Sequence, residues 1–91
     1  ECILLNKILV YDQGINGLCL WDENHLFVGC NDKSIKLVKL DSGNIIKIFF
    51  GHQARVHCVK TIDHETHGKC LVSKGWGKDV IKLWVNNEIN K

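Results

Sequence analysis

Ile81-Lys82-Leu83-Trp84 repeats, almost letter for letter, the earlier Ile35-Lys36-Leu37-Val38. Each copy follows an Asp, Asp79 or Asp32, and each closes a segment that opens on an apolar residue, Val56 or Ile15. Self-similarity at a fixed period of roughly 20–50 residues, with turn residues between short apolar runs, signals a repeat architecture. The chain therefore reads as copies of one supersecondary unit.

Outward from these tetrapeptides the hydrophobic spacing is two rather than 3.6, and β-branched residues fill the apolar slots. Strands are predicted over Ile8–Tyr11, Ile15–Trp21, His25–Cys30, Ile35–Leu40, Ile45–Phe50, Val56–Ile62, Lys69–Ser73 and Val80–Val85. Between them stand Asp12-Gln13-Gly14, Asp22-Glu23-Asn24, Asn31-Asp32-Lys33, Asp41-Ser42-Gly43-Asn44, Gly51-His52-Gln53 and Gly75-Trp76-Gly77-Lys78-Asp79. Each holds the Gly, Asn or Asp that a tight turn needs. No segment carries a helical period, and with no proline in the chain every strand is free to pair on both edges.

These strands divide the chain. Residues 1–14 hold the end of a preceding unit, 15–50 a first full unit of four strands, and 51–91 a second whose last strand, from Asn86, is only begun. The chain has no initiator Met and opens in mid-pattern at Glu1-Cys2-Ile3, so it is expected to be a piece of something longer.

Composition sets limits on function. Ninety-one residues with 45% hydrophobic and 24% charged content and a net charge of +2 describe an ordinary globular chain, with no signature of disorder. Its charge comes from scattered lysines, with Arg55 the only arginine, which argues against nucleic acid as a partner, because phosphate binding needs dense cations on one face. Lys36, Lys39, Lys47, Lys60 and Lys82 fall in alternating segments and are expected on solvated strand faces. Five cysteines without close pairing, four of them in apolar runs, read as free thiols packed as small hydrophobes in a reducing, intracellular and cytoplasmic setting. No apolar stretch is long enough to span a bilayer, and no signal core opens the chain.

Gly51-His52, then Val56 and Val59, then Leu71-Val72-Ser73, then an Asp shortly before Ile81-Lys82-Leu83-Trp84 form a pattern that resembles a repeat of the WD-repeat β-propeller family, of the Gly-His to Trp-Asp type. The resemblance implies an all-β fold of antiparallel four-stranded blades, of which this chain would supply about two. It also implies a structural hydrogen-bond network of His52, Ser73, Asp79 and Trp84, with Asp32 at the corresponding turn of the first unit. The fit has departures. Lys78 stands six positions before Trp84 and Asp79 one later; Val38 fills the Trp slot of the first unit; no Gly-His precedes Ile15; and neither Val38 nor Trp84 is followed by Asp. The first unit is expected to replace the network with apolar packing.

Other chemistries fit these residues less well. His64, His67 and Cys70 invite a zinc reading, but the Cys-x-x-Cys half of such a site is missing, and a longer loop between two strands accounts for the segment. His57 and Cys58 are adjacent on a strand, point to opposite faces and cannot act as a nucleophile pair. No glycine-rich loop precedes a helix, so no phosphate cradle is expected. No catalytic residue, metal or cofactor is assigned.

What the resemblance leaves for function is loop surface. In the family, the loop before the first strand and the loop between the second and third open on one end near the central channel. That places Gln53, Ala54, Arg55 and His57 beside Lys74, Trp76 and Lys78, with Asn31 and Lys33 from the neighbouring unit. Arg55, His57, Lys74, Trp76 and Lys78 are the candidate partner-binding residues, Trp76 foremost, since Trp and Arg anchor interfaces. Against this stands a Trp76 ring folded onto the neighbouring blade, because Trp is usually largely buried. The implied function is a non-enzymatic interaction scaffold for a protein or peptide, completed by further blades. The alternative is a substrate-receptor or accessory propeller of an enzyme complex such as a ubiquitin ligase.

Overall fold

Seven strands make up all of the regular structure in the computed structural model, which describes residues 2–9 and 14–85. They are β1 (Ile15–Asp22), β2 (His25–Cys30), β3 (Ser34–Lys39), β4 (Ile45–Phe50), β5 (Val56–His64), β6 (Gly68–Gly75) and β7 (Ile81–Trp84). The protein is all-β. β1 to β4 form one antiparallel sheet in sequential order, and β5 to β7 form a second. Among the described residues no helix is long and apolar enough to cross a membrane.

The strand predictions match within a residue or two, with one exception. Ile8 and Leu9 belong to no strand, and Val10 and Tyr11 lie outside the described residues, as does the expected fourth strand from Asn86. The segment 2–9 instead lies against the first sheet. Ile8 packs beside Val28, Cys30 and Val38, and the Asn6 side-chain amide donates to the Leu40 carbonyl at 3.0 Å. The intended strand face of Ile8 is thus used for packing, without ladder pairing.

The two sheets repeat one register. Leu26 pairs with Val38 and Phe27 with Leu37 in the first; Leu71 pairs with Trp84 and Val72 with Leu83 in the second. Both opening strands carry a bulge at the same place, between Ile15 and Gly17 and between Val56 and Cys58. A bulge adds one unpaired residue and sharpens the local twist. The extra residues are Asn16 and His57.

Matching the registers shows how the sheets stack. The second sheet turns Val56, Val59, Leu71 and Trp84 toward the first, where they meet Cys19, Trp21, Phe27, Ile35, Leu37 and Phe49. In the first sheet the positions matching Leu71, Ser73 and Trp84 are Leu26, Val28 and Val38, and these lie on its opposite face. Unlike faces therefore meet, head to tail. Gly29 lets the backbones close: a Cβ there would sit 2.9 Å from Val56 Cγ1 and 3.2 Å from Val56 O. Phe27 edges onto Trp21 with centroids 5.4 Å apart, and the Lys69 ammonium lies 4.7 Å above the Trp21 ring from the other sheet. Aromatic pairs and cation–π contacts of this kind add to the gain from burial alone.

Among the described residues, the outer face of the first sheet is covered only in part, by the segment 2–9, and the outer face of the second is open. On the first sheet Leu18 and Leu20 are exposed, and on the second Ile81 and Leu83 are exposed where their counterparts Ile35 and Leu37 are buried. Cys58 lies on that same open face and is exposed, against the expectation that cysteines in apolar runs are buried; Cys30, packed with Val28 and Val38, is buried, and so is Cys70.

Candidate functional site

A buried chain of hydrogen bonds crosses the second unit. Trp84 Nε1 donates to Ser73 Oγ at 2.9 Å, Ser73 Oγ lies 2.7 Å from His52 Nε2, and His52 Nδ1 lies 2.9 Å from Asp79 Oδ2. One proton arrangement serves every member: indole to hydroxyl, hydroxyl to imidazole, imidazole to carboxylate. Such series polarise one another and fix geometry. The same carboxylate accepts from the backbone N–H of Gln53 and of Val80, at 3.0 and 2.8 Å.

The sequence spacing places Asp79 one residue late, yet it reaches His52. The turn Trp76–Val80 is longer than its counterpart Asn31–Lys33, and Gly77, at φ +70°, takes the left-handed turn that brings Asp79 back under the strand. Gly75 completes the fit, because a Cβ at that position would run into the Asp79 carboxylate. The shift in the motif is absorbed by the loop.

Burial of the Asp79 carboxyl, whose side chain is 4% exposed, pushes its pKa up; hydrogen bonds from the Val80 N–H, His52 and the Gln53 N–H outweigh that and hold it below the ordinary value of 3.8. A carboxyl lowered by folding stabilises the native state above its unfolded pKa, and that stability is lost as pH falls below it. Between about pH 5 and pH 3 the wild type should lose melting temperature more steeply than Asp79→Asn, which has no charge to surrender there. Parallel slopes in thermal scans would remove Asp79 from the network.

A Ser, a His and an Asp joined in this order also resemble the triad of a hydrolase. Here Ser73 is 1% exposed, and its oxygen already accepts the indole N–H of Trp84. A substrate carbonyl has no path to it.

In the first unit Val28 and Val38 occupy the Ser73 and Trp84 positions and pack with Cys30, Leu26, Ile45 and Ile8. Asp32 bonds locally instead. It accepts from the backbone N–H and hydroxyl of Ser34 and, at 2.9 Å, from Lys36 Nζ, which also donates to Ser34 Oγ at 2.7 Å. Lys36 is 4% exposed, which corrects the expectation of a solvated lysine: a carboxylate and a hydroxyl on its own hairpin hold its ammonium under the turn. Burial opposes the Asp32 charge, but Ser34 and Lys36 prevail and lower its pKa.

His64 and His67 stack at 5.1 Å, but His64 Nδ1 accepts the backbone N–H groups of Thr66 and His67, and buried Cys70 turns its thiol to the Gly68 carbonyl. Among the described residues no set of three His, Cys, Asp or Glu side chains is grouped to hold a metal ion.

Four of the five residues expected at the partner surface come together. The Arg55 guanidinium lies 4.7 Å above the Trp76 ring, His57 meets that ring edge-on at 5.0 Å, and the Trp76 backbone N–H donates to the Arg55 carbonyl at 2.9 Å. Lys74 Nζ donates to the carbonyls of Gly75 and Gly77, both at 2.9 Å, beneath the turn that carries the indole. Lys78 is exposed in the same turn. Trp76 itself is 51% exposed and rests on Arg55 and His57 of its own unit.

The first unit builds the same corner with other side chains. Asn31 N–H donates to the Gly14 carbonyl at 3.0 Å, and the bulged Asn16 donates to Asn31 Oδ1 at 2.6 Å. In the second unit the bulged His57 meets Trp76, the residue matching Asn31. Sequence reading missed these bulges, and the only hint of them is that two polar residues, Asn16 and His57, follow the apolar residue that opens each unit.

No protein-family model matches the chain. A stretch of 54 residues, 58% of the chain, is 32% identical to Protein DOA1 of Saccharomyces cerevisiae, and it spans 7% of that protein's length.

Proposed function

We propose that these residues form part of a WD-repeat β-propeller that serves as a non-enzymatic scaffold and binds a protein or peptide through its loop end. The observation that carries this reading is the half-exposed Trp76 clamped between Arg55 and His57 at a corner both units share. A large rigid ring, already ordered and flanked by an Arg, gives up little conformational freedom on binding and makes an interface anchor.

Head-to-tail stacking supports the propeller. An interface between unlike faces leaves one face open at each end, and it propagates until a ring closes. Closure takes about four to eight blades. The exposed Ile81 and Leu83 are then the seat of a further blade. The polar chain of His52, Ser73, Asp79 and Trp84 sets the register of its blade and does no chemistry, since its serine is sealed from solvent.

The test is affinity capture from extract with the full natural chain, comparing wild type with Trp76→Ala and Arg55→Ala. Both variants should lose the same partners while the melting temperature stays put, because exposed substitutions usually change stability by no more than about 0.5 kcal/mol. An unchanged partner set would remove the proposed surface.

A further inference from the structure

We infer that the partner at this end presents an acidic segment, a short peptide in which Asp or Glu side chains alternate with an apolar residue; this rests on the interface reading above. The chain as a whole carries only +2, but its charge is unevenly placed. Arg55 lies over the Trp76 ring, Lys74 is bound to the carbonyls of the turn that carries it, Lys78 is exposed in that same turn, and Lys33 is exposed in the matching turn of the adjoining unit. Both acidic residues of these turns are already committed. Asp32 is bound by Lys36, and Asp79 is turned inward to His52 and the Gln53 and Val80 N–H groups. The turns therefore present Lys33 and Lys78 to solvent, while Asp79 is turned inward and the half-open Asp32 is neutralised by Lys36.

The geometry suits a carboxylate rather than diffuse negative charge. The Arg55 guanidinium, centred 4.7 Å from the Trp76 ring, carries a planar fork of N–H donors that can take a carboxylate in bidentate fashion. Lys74, pinned by two turn carbonyls, contributes fixed positive potential, and half of the Trp76 ring remains open for an apolar neighbour of the acid. A nucleic-acid backbone needs a longer track of cations, and the remaining lysines are dispersed over the strands.

Fluorescence polarisation with the full natural chain tests this with four labelled probes: a peptide alternating Glu and Leu, its Gln counterpart, its Lys counterpart, and a single-stranded DNA of similar length. The Glu peptide should bind at least about tenfold tighter than the Gln peptide, weaken by about tenfold in Arg55→Gln and in Trp76→Ala, and weaken with added salt. Equal binding of the Glu and Gln peptides, or tighter binding of the DNA, overturns the inference. If the peptides bind alike while Trp76→Ala still loses its cellular partners, only the acidic assignment fails. If Trp76→Ala changes neither peptide binding nor partner capture, the interface reading fails with it.

Discussion

Phe27→Ala is expected to destabilise the protein by about 3–5 kcal/mol, the usual cost of truncating a core aromatic. Phe27 is fully buried, lies edge-on to Trp21 and tilts against Phe49 at 6.2 Å. It also belongs to the layer that receives Val56, Val59 and Leu71 from the second sheet, so the cavity would open where the two sheets meet. Since domains are stable by only about 5–15 kcal/mol, a loss of this size should uncouple the sheets. Phe50→Ala, at an exposed site on β4, serves as the control. Denaturant unfolding of the full natural chain should separate the two by several kcal/mol. Equal effects would mean that the packed layer lies elsewhere.

The second large effect is Ser73→Ala. Removing one hydroxyl leaves His52 Nε2 without its partner at a buried site and the Trp84 indole N–H without its partner at a partly buried one. Each orphaned group costs about 1–3 kcal/mol, so a loss of about 2–6 kcal/mol is expected for the two. Because the chain acts as a unit, His52→Ala and Ser73→Ala should be far from additive when combined. A double-mutant cycle reads this coupling. A coupling near zero would reduce the network to independent contacts. Among the described residues no buried side-chain nitrogen or oxygen is unpaired, which is why one deletion here propagates.

Much of this was legible in the residues. Alternating Val, Ile and Leu between turn-forming Gly, Asn and Asp mark β1 to β7, because strand pattern and turn chemistry agree at every boundary. His52, Ser73 and Trp84 are linked in the sequence only through the resemblance of the stretch from Gly51-His52 to Trp84 to a WD-type repeat; their hydrogen bonds meet the need of a buried hydroxyl and indole for partners. What could not be read arises from backbone freedom. The bulges at Asn16 and His57 leave no fixed residue signature, yet His57 reaches Trp76 from one of them. Asp79 stands out of place in the sequence but not in space, since the left-handed Gly77 shortens the path. Lys36 alternates as a surface lysine would, and only its proximity to Asp32 and Ser34 on the folded hairpin shows why it is buried. The aromatic corner was legible as a set of residue types, while the exposure of Trp76 follows from Arg55 and His57 supporting it.

If one sheet unit stacks head to tail as proposed, the open face of the second sheet should carry a further copy. An experimental structure of the full natural chain tests it most directly. The prediction is another antiparallel sheet seated on Ile62, Val72, Ile81 and Leu83, in the orientation in which Val56, Val59 and Leu71 sit on Phe27 and Leu37. A helix on that face, or the same residues left open to solvent, would contradict it.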